Sequence, residues 1–300
     1  MTTQLRATDE EPFIRLEGVE KAFGTNRVLR GVDLEVRRGE IFTLLGGSGT
    51  GKSVMLKHMV GLLRPDRGRI CIEGQEVGGL REREWVELRK RIAYVFQGAA
   101  LFDSLDVFEN IAYGLREHLS LSRSELARRV GDCLEAVGLE GIEQRMPAEL
   151  SGGMRKRVGV ARAIALEPEA ILYDEPTTGL DPANSKRIAQ LIVSLRQRLD
   201  VTSVIVTHDL ELCFAISDRV GLLGRGCLLA VGTPEEVRAS PLREVRDFLA
   251  GDLDAARDPW REGESGAGDA RREDEGESRA VDARREAVAA TAEEGSRDGS

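Results

Sequence analysis

Eight consecutive residues constrain this chain more than any other stretch. Gly46, Gly47, Ser48, Gly49, Thr50, Gly51, Lys52 and Ser53 fit the pattern G-x-x-x-x-G-K-[ST]. They follow IFTLL (residues 41–45), a continuous apolar run of the kind that forms a strand buried on both faces of a parallel sheet. They precede VMLKHMVGLL, which reads as a helix. Glycines here let backbone N–H groups converge on phosphate oxygens, and the helix N-terminus adds partial positive charge. Lys52 is expected to reach the β- and γ-phosphates of a bound nucleotide, and Ser53 to offer its hydroxyl to Mg2+. The competing reading, a glycine-rich turn that merely caps a helix, is disfavoured by the flanking strand and helix.

Two further buried-strand runs, at residues 170–173 and 204–206, are each followed by polar residues and helical periodicity. A parallel α/β sheet with crossover helices is the economical reading. Residues 13–36 alternate around Gly24-Thr25-Asn26, which predicts short antiparallel strands about a turn. Between residues 102 and 165 the pattern becomes helical, an insertion. Ile188, Leu191, Ile192, Leu195 and Leu199 recur at helical spacing, predicting an amphipathic helix over residues 185–199.

The run at 170–173 ends in adjacent acids, Asp174 and Glu175. Successive strand residues point to opposite sides, so the two carboxylates can take different roles. Asp174 suits a Mg2+ site, and Glu175 suits orienting or deprotonating an attacking water. Such a pair also ends strands with no function at all; its presence beside the phosphate loop favours the chemical role. Ser151-Gly152-Gly153-Met154 opens another helix, either as an ordinary N-cap or as a second anion site.

Composition limits the partners. Aromatics make up 4% of the chain, too few for base-stacking surfaces, and the net charge is −9. Residues 251–300 hold 8 basic and 15 acidic residues, so the remainder is nearly neutral and nucleic acid is not an expected partner. Cys71, Cys133, Cys213 and Cys227 form no C-x-x-C pair, which fits a reducing compartment. No apolar run approaches the roughly 18 residues of a membrane helix, so a membrane role needs other chains to supply the spans. Residues 1–10 are expected to be flexible and residues 255–300, an acidic Gly/Ala/Ser-rich tail, to be disordered.

The order of phosphate loop, LSGGM (residues 150–154) and Asp174-Glu175 resembles the ATP-binding cassette (ABC) family, over about residues 13–250. The resemblance implies a P-loop NTPase (RecA-like) α/β core with an antiparallel β subdomain and a helical subdomain at about residues 98–165, all within residues 11–254. It implies ATP and Mg2+ as cofactors. Gln97 looks like the Q-loop residue at the metal site, His208 like the switch histidine near the γ-phosphate, and residues 178–182 (TGLDP), including Asp181, like the D-loop. Phe23 sits where the family places the aromatic that stacks on adenine, with Phe13 as competitor and core packing as the alternative for both.

Residues 97–118 (QGAALFDSLDVFENIAYGLREH) and 149–157 (ELSGGMRKR) are similar to the ATPases of the Mla and Mce phospholipid transporters, in which Met at position 154 is also familiar. Residues 241–251 resemble their terminal helix; residues 252–300 match nothing in that pattern. This implies a head-to-tail homodimer in which Ser151, Gly152 and Gly153 face the partner's nucleotide. It also implies membrane permease subunits docking on the helical insertion, an Mce-domain lipid-binding protein, a small regulatory subunit, and a place on the cytoplasmic face of the inner membrane. An importer of amino acids or other small solutes would share every catalytic residue. A soluble ABC ATPase is disfavoured, because Ser53 and Leu150 lie under 100 residues apart, too close for an intervening long coiled coil.

Overall fold

A computed structural model describes residues 11–251; the expectations for residues 1–10 and for the tail at 255–300 lie outside the described residues. The chain begins with β1 (Ile14–Phe23) and β2 (Asn26–Val36), paired antiparallel around Gly24 and Thr25. These strands are longer than the short ones predicted. The register shifts between Leu16 and Val19, again to Glu20, and between Lys21 and Ala22, so a single strand reads as fragments of alternation. At the first irregularity Gly18 takes φ +56° and donates its N–H to Asp33 Oδ1 at 2.7 Å.

The buried run forms β3 (Ile41–Leu45), followed by the phosphate loop and α1 (Lys52–Met59). Next come β4 (Arg67–Ile72) and β5 (Gln75–Glu76), which complete an antiparallel sheet of order β2-β1-β4-β5. α2 (Glu82–Arg91) leads into β6 (Ile92–Val95). The helical stretch contains α3 (Val107–His118), α4 (Arg123–Ala136) and α5 (Gly152–Ile164). β7 (Ala170–Asp174), α6 (Pro182–Leu199) and β8 (Thr202–Thr207) follow. The chain then runs through α7 (Leu210–Ile216), β9 (Arg219–Gly224), β10 (Cys227–Gly232), α8 (Pro234–Arg238) and α9 (Arg243–Leu249). α6 starts three residues before the predicted position, because Asp181 caps it through Asn184 N–H and Pro182 suits the first helical position.

The second sheet has order β10-β9-β3-β8-β7-β6, parallel throughout except for the antiparallel edge strand β10. Its alternating side chains build two cores. Ile41, Ile171, Tyr173 and Ile205 pack under α3 to α6, whereas Phe42, Leu44, Leu172, Val204 and Val206 pack with α1 and the antiparallel sheet. Every residue of β3, β7 and β8 is buried, which explains why these strands read as unbroken apolar runs. At about 1.5–3 kcal/mol for each large apolar side chain buried, this double burial fixes the strand ends that carry the polar site. A third cluster, with Val220 and Leu222 against Val245 and Phe248 of α9, holds the last helix to β9.

Candidate functional site

The phosphate loop spans the C-terminal end of β3, where glycine is required by space as well as by dihedral angle. A Cβ on Gly46 would meet Leu223 O at 2.7 Å and Thr50 Oγ1 at 2.8 Å. Gly51, which precedes α1, has φ +106°, and a Cβ there would lie 2.9 Å from Val28 Cγ1 of β2. The loop is therefore wedged between the two sheets. Lys52 folds its buried ammonium under it, donating to Gly46 O at 2.9 Å and Gly47 O at 3.0 Å, and lies 3.4 Å from Glu175 Oε1. Burial lowers the Lys52 pKa, and Glu175 pulls it back up.

Four other predicted residues meet there. Ser53 Oγ donates to Asp174 Oδ1 at 2.7 Å. The next residue, Glu175, takes the left-handed conformation at φ +50°, uncommon for a residue with a side chain. Its N–H donates to Val206 O at 2.9 Å and its carbonyl accepts from Lys156 Nζ at 3.1 Å. This backbone turn at the β7 end is why both acids of a pair that should diverge remain at one site. Glu175 Oε2 contacts His208 Nδ1 at 2.9 Å and accepts from Thr178 Oγ1 at 3.0 Å. With Oε1 beside Lys52 and Oε2 held by these groups, the carboxylate is oriented from two sides.

The other predicted residues occupy different elements. Ser151 caps α5, its hydroxyl accepting from Met154 N–H at 3.2 Å. The start of α5 adjoins the start of α6: a Cβ on Gly153 would lie 3.0 Å from Asn184 Oδ1, and Asn184 Nδ2 donates to Asp181 at 2.5 Å. Gly152 and Asp181 thus sit in one patch. Gln97 is exposed just beyond β6. Phe23 is 47% exposed at the end of β1, with Lys21 Nζ 5.6 Å from its ring centroid, whereas Phe13 is 1% exposed and belongs to the core. Of the two rings, Phe23 is the one a planar ligand could reach.

Sequence reasoning missed Thr178, Lys156 and Tyr94 as parts of the site. Tyr94 donates its hydroxyl to Asp174 Oδ2 at 2.8 Å. Thr178 lay inside a motif already singled out; Tyr94 and Lys156 gave no local signal, since their relation to the acids exists only through strand pairing and helix packing.

A groove of about 370 Å³ runs along the edge strand β6, lined by Tyr94, Phe96, Phe102, Tyr113 and Leu166. Phe96, Phe102 and Tyr113 are each at least 40% exposed. Among the described residues, no helix is long and apolar enough to cross a membrane.

This arrangement has known counterparts. The ABC transporter family profile matches residues 29–178. The probable ribonucleotide transport ATP-binding protein mkl of Mycobacterium leprae is 43% identical over 79% of this chain and 69% of its own length. The intermembrane phospholipid transport system ATP-binding protein MlaF of Haemophilus influenzae is 40% identical over 77% of this chain and 88% of its own. The methionine import ATP-binding protein MetN of Rhizobium johnstonii is 39% identical over 82% and 68%. Among solved structures, a dimeric ATP-binding cassette in a post-hydrolysis state with ADP and Pi superposes with TM-score 0.69 at 31% identity, over 74% of this chain and 98% of that one. With its phosphate loop, paired acids and fold in agreement, the chain belongs to the ABC transporter family, as an ATP-binding subunit with ATPase activity.

Proposed function

We propose that this chain hydrolyses MgATP to drive a transporter that moves phospholipid between the inner membrane and the outer envelope. The observation that carries the catalytic part is the convergence of Lys52, Ser53, Asp174, Glu175 and His208 at one end of the parallel sheet. Ser53 and Asp174 offer two hard oxygen donors side by side. Among the described residues no group of three or more His, Cys, Asp or Glu is placed to hold a metal, and a cation held largely by phosphate and water fits that sparse set. When bound, Mg2+ would neutralise phosphate charge. Lys52 would bind the β- and γ-phosphates, Glu175 would orient the attacking water and accept its proton, and His208 would hold Glu175 and approach the γ-phosphate. Gln97 would join the cation site from beyond β6, and Phe23 would stack on adenine.

ATP would lie between two copies packed head to tail, with Ser151, Gly152, Gly153 and Asp181 of one copy reaching the nucleotide of the other. The aromatic groove beside β6 and α3 would seat the membrane permease on the cytoplasmic face, with an Mce-domain protein and a small regulatory subunit completing the assembly. The lipid reading is supported by the similarity to MlaF across most of that protein's length. Transport of a small solute is the second reading, favoured by the similarity to mkl, a probable ribonucleotide transport protein, and to MetN, a methionine import protein. Reconstitution with its membrane partners in vesicles containing fluorescent phospholipid separates them. ATP-dependent lipid transfer is expected; ATP-dependent solute uptake with no lipid transfer would overturn the lipid reading.

A further inference from the structure

Asp174 has both carboxylate oxygens engaged, one by each of two sheet-end neighbours. Ser53 Oγ donates to Oδ1 at 2.7 Å and Tyr94 OH donates to Oδ2 at 2.8 Å. Tyr94 stands on β6, the strand paired with β7, where its backbone partner is Leu172. Its ring, 4.4 Å from that of Phe96 between centroids, lines the groove along β6, while its hydroxyl points inward to the 7%-exposed Asp174. A phenol donating to an ionised carboxylate makes a charge-assisted bond, stronger than a neutral one.

We propose that Tyr94 is a positioning residue for the cation site: by holding Asp174 Oδ2, its hydroxyl keeps Oδ1 turned toward Ser53 and the cation. This rests on the reading of Asp174 as the carboxylate that faces Mg2+. A carboxylate free at one oxygen can rotate about its last bond, and the geometry shared with Ser53 is then no longer fixed.

Tyr94→Phe removes the hydroxyl and keeps the ring. In the full chain, the Mg2+ concentration for half-maximal ATPase should rise about tenfold, the low end of the effect expected for loss of an outer partner of a metal ligand. At saturating Mg2+, kcat should return to within about twofold of wild type. A second readout avoids turnover: Mn2+ binding to the ATP complex, followed by electron paramagnetic resonance in a Glu175→Gln background, should weaken by a similar factor, while ATP binding without metal is unchanged. A purely structural role would lower thermal stability or kcat and leave the cation dependence alone, and that result would overturn the proposal. Asp174→Asn is the reference. If it leaves the cation dependence intact, the reading of Asp174 falls and the proposal with it; if it abolishes that dependence and Tyr94→Phe does not change it, the Tyr94 proposal alone falls. Should Tyr94→Phe fail to fold while Tyr94→Met also fails, the hydroxyl belongs to stability and the proposal is overturned.

Discussion

Glu175 is the residue at which backbone and chemistry meet. Its left-handed φ of +50° turns the chain at the end of β7, and its side chain contacts Lys52, Thr178 and His208. Glu175→Gln keeps the shape and removes the carboxylate proposed as base, so ATP binding should persist while kcat falls at least about a hundredfold, the lower range for a positioned general base; single-turnover hydrolysis beside equilibrium ATP binding checks both halves. The two phenylalanines separate in the same manner. Phe23→Ala removes an exposed ring, so stability should change little, and ATP affinity should fall by about 1–3 kcal/mol if the ring stacks on adenine. Phe13→Ala opens a core cavity and should cost about 3–5 kcal/mol of folding free energy. Paired thermal melts and ATP titrations test this, and unchanged ATP affinity in Phe23→Ala would remove the stacking role. Most of the polar cluster was legible as motif spacing, because the phosphate loop and the acids of β7 are each local in sequence. Tyr94 and Lys156 were not legible, since strand register and helix packing alone bring them to the acids.

At the scale of elements, three buried strands announced themselves, whereas β9, buried at every position, did not, because Arg219 and two glycines break its apolar pattern. β3, β7 and β8 are apolar runs because both faces are covered, while β1 and β2 hide their length behind register shifts. β5, with two residues, is too short to carry a pattern, and β4 buries residues only in its last three positions. Two side chains hold the segment between Gln97 and α3: Arg162 of α5 donates to Ala99 O and Ala100 O at 2.8 Å, and Asn110 holds the residues that follow. Asn110, fully buried in α3, accepts from Phe102 N–H at 2.8 Å and donates to Phe102 O, Leu105 O and Asp106 O at 2.9–3.1 Å. It thereby sets the groove residue Phe102 beside Tyr113, their ring centroids 5.1 Å apart. Asn110→Ala strands these backbone groups in a buried place and should cost about 1–3 kcal/mol. Hydrogen exchange should rise at residues 102–106 above all, while ATP binding at the phosphate loop stays intact; protection of that segment equal to wild type would show that Asn110 does not hold it.

At the scale of the whole molecule, the described residues proposed to act on the nucleotide gather in two patches, and this division makes a prediction about assembly. Lys52, Ser53, Asp174, Glu175 and His208 cluster at the strand ends, whereas Ser151, Gly152, Gly153 and Asp181 gather where α5 and α6 begin. In a two-fold dimer packed head to tail, each patch completes the site of the other copy, and both sites lie on one isologous interface. Ser151→Arg should then bind ATP as an isolated chain and fail to hydrolyse it. Lys52→Ala should fail from the other side, through lost phosphate contact. In an equal mixture, half of the dimers formed by random pairing are mixed, and each contains one site built from two intact patches. Two individually inactive proteins should therefore recover about a quarter of wild-type activity on mixing. A mixture no more active than its components would overturn the shared site, because a site completed within one chain gains nothing from a partner.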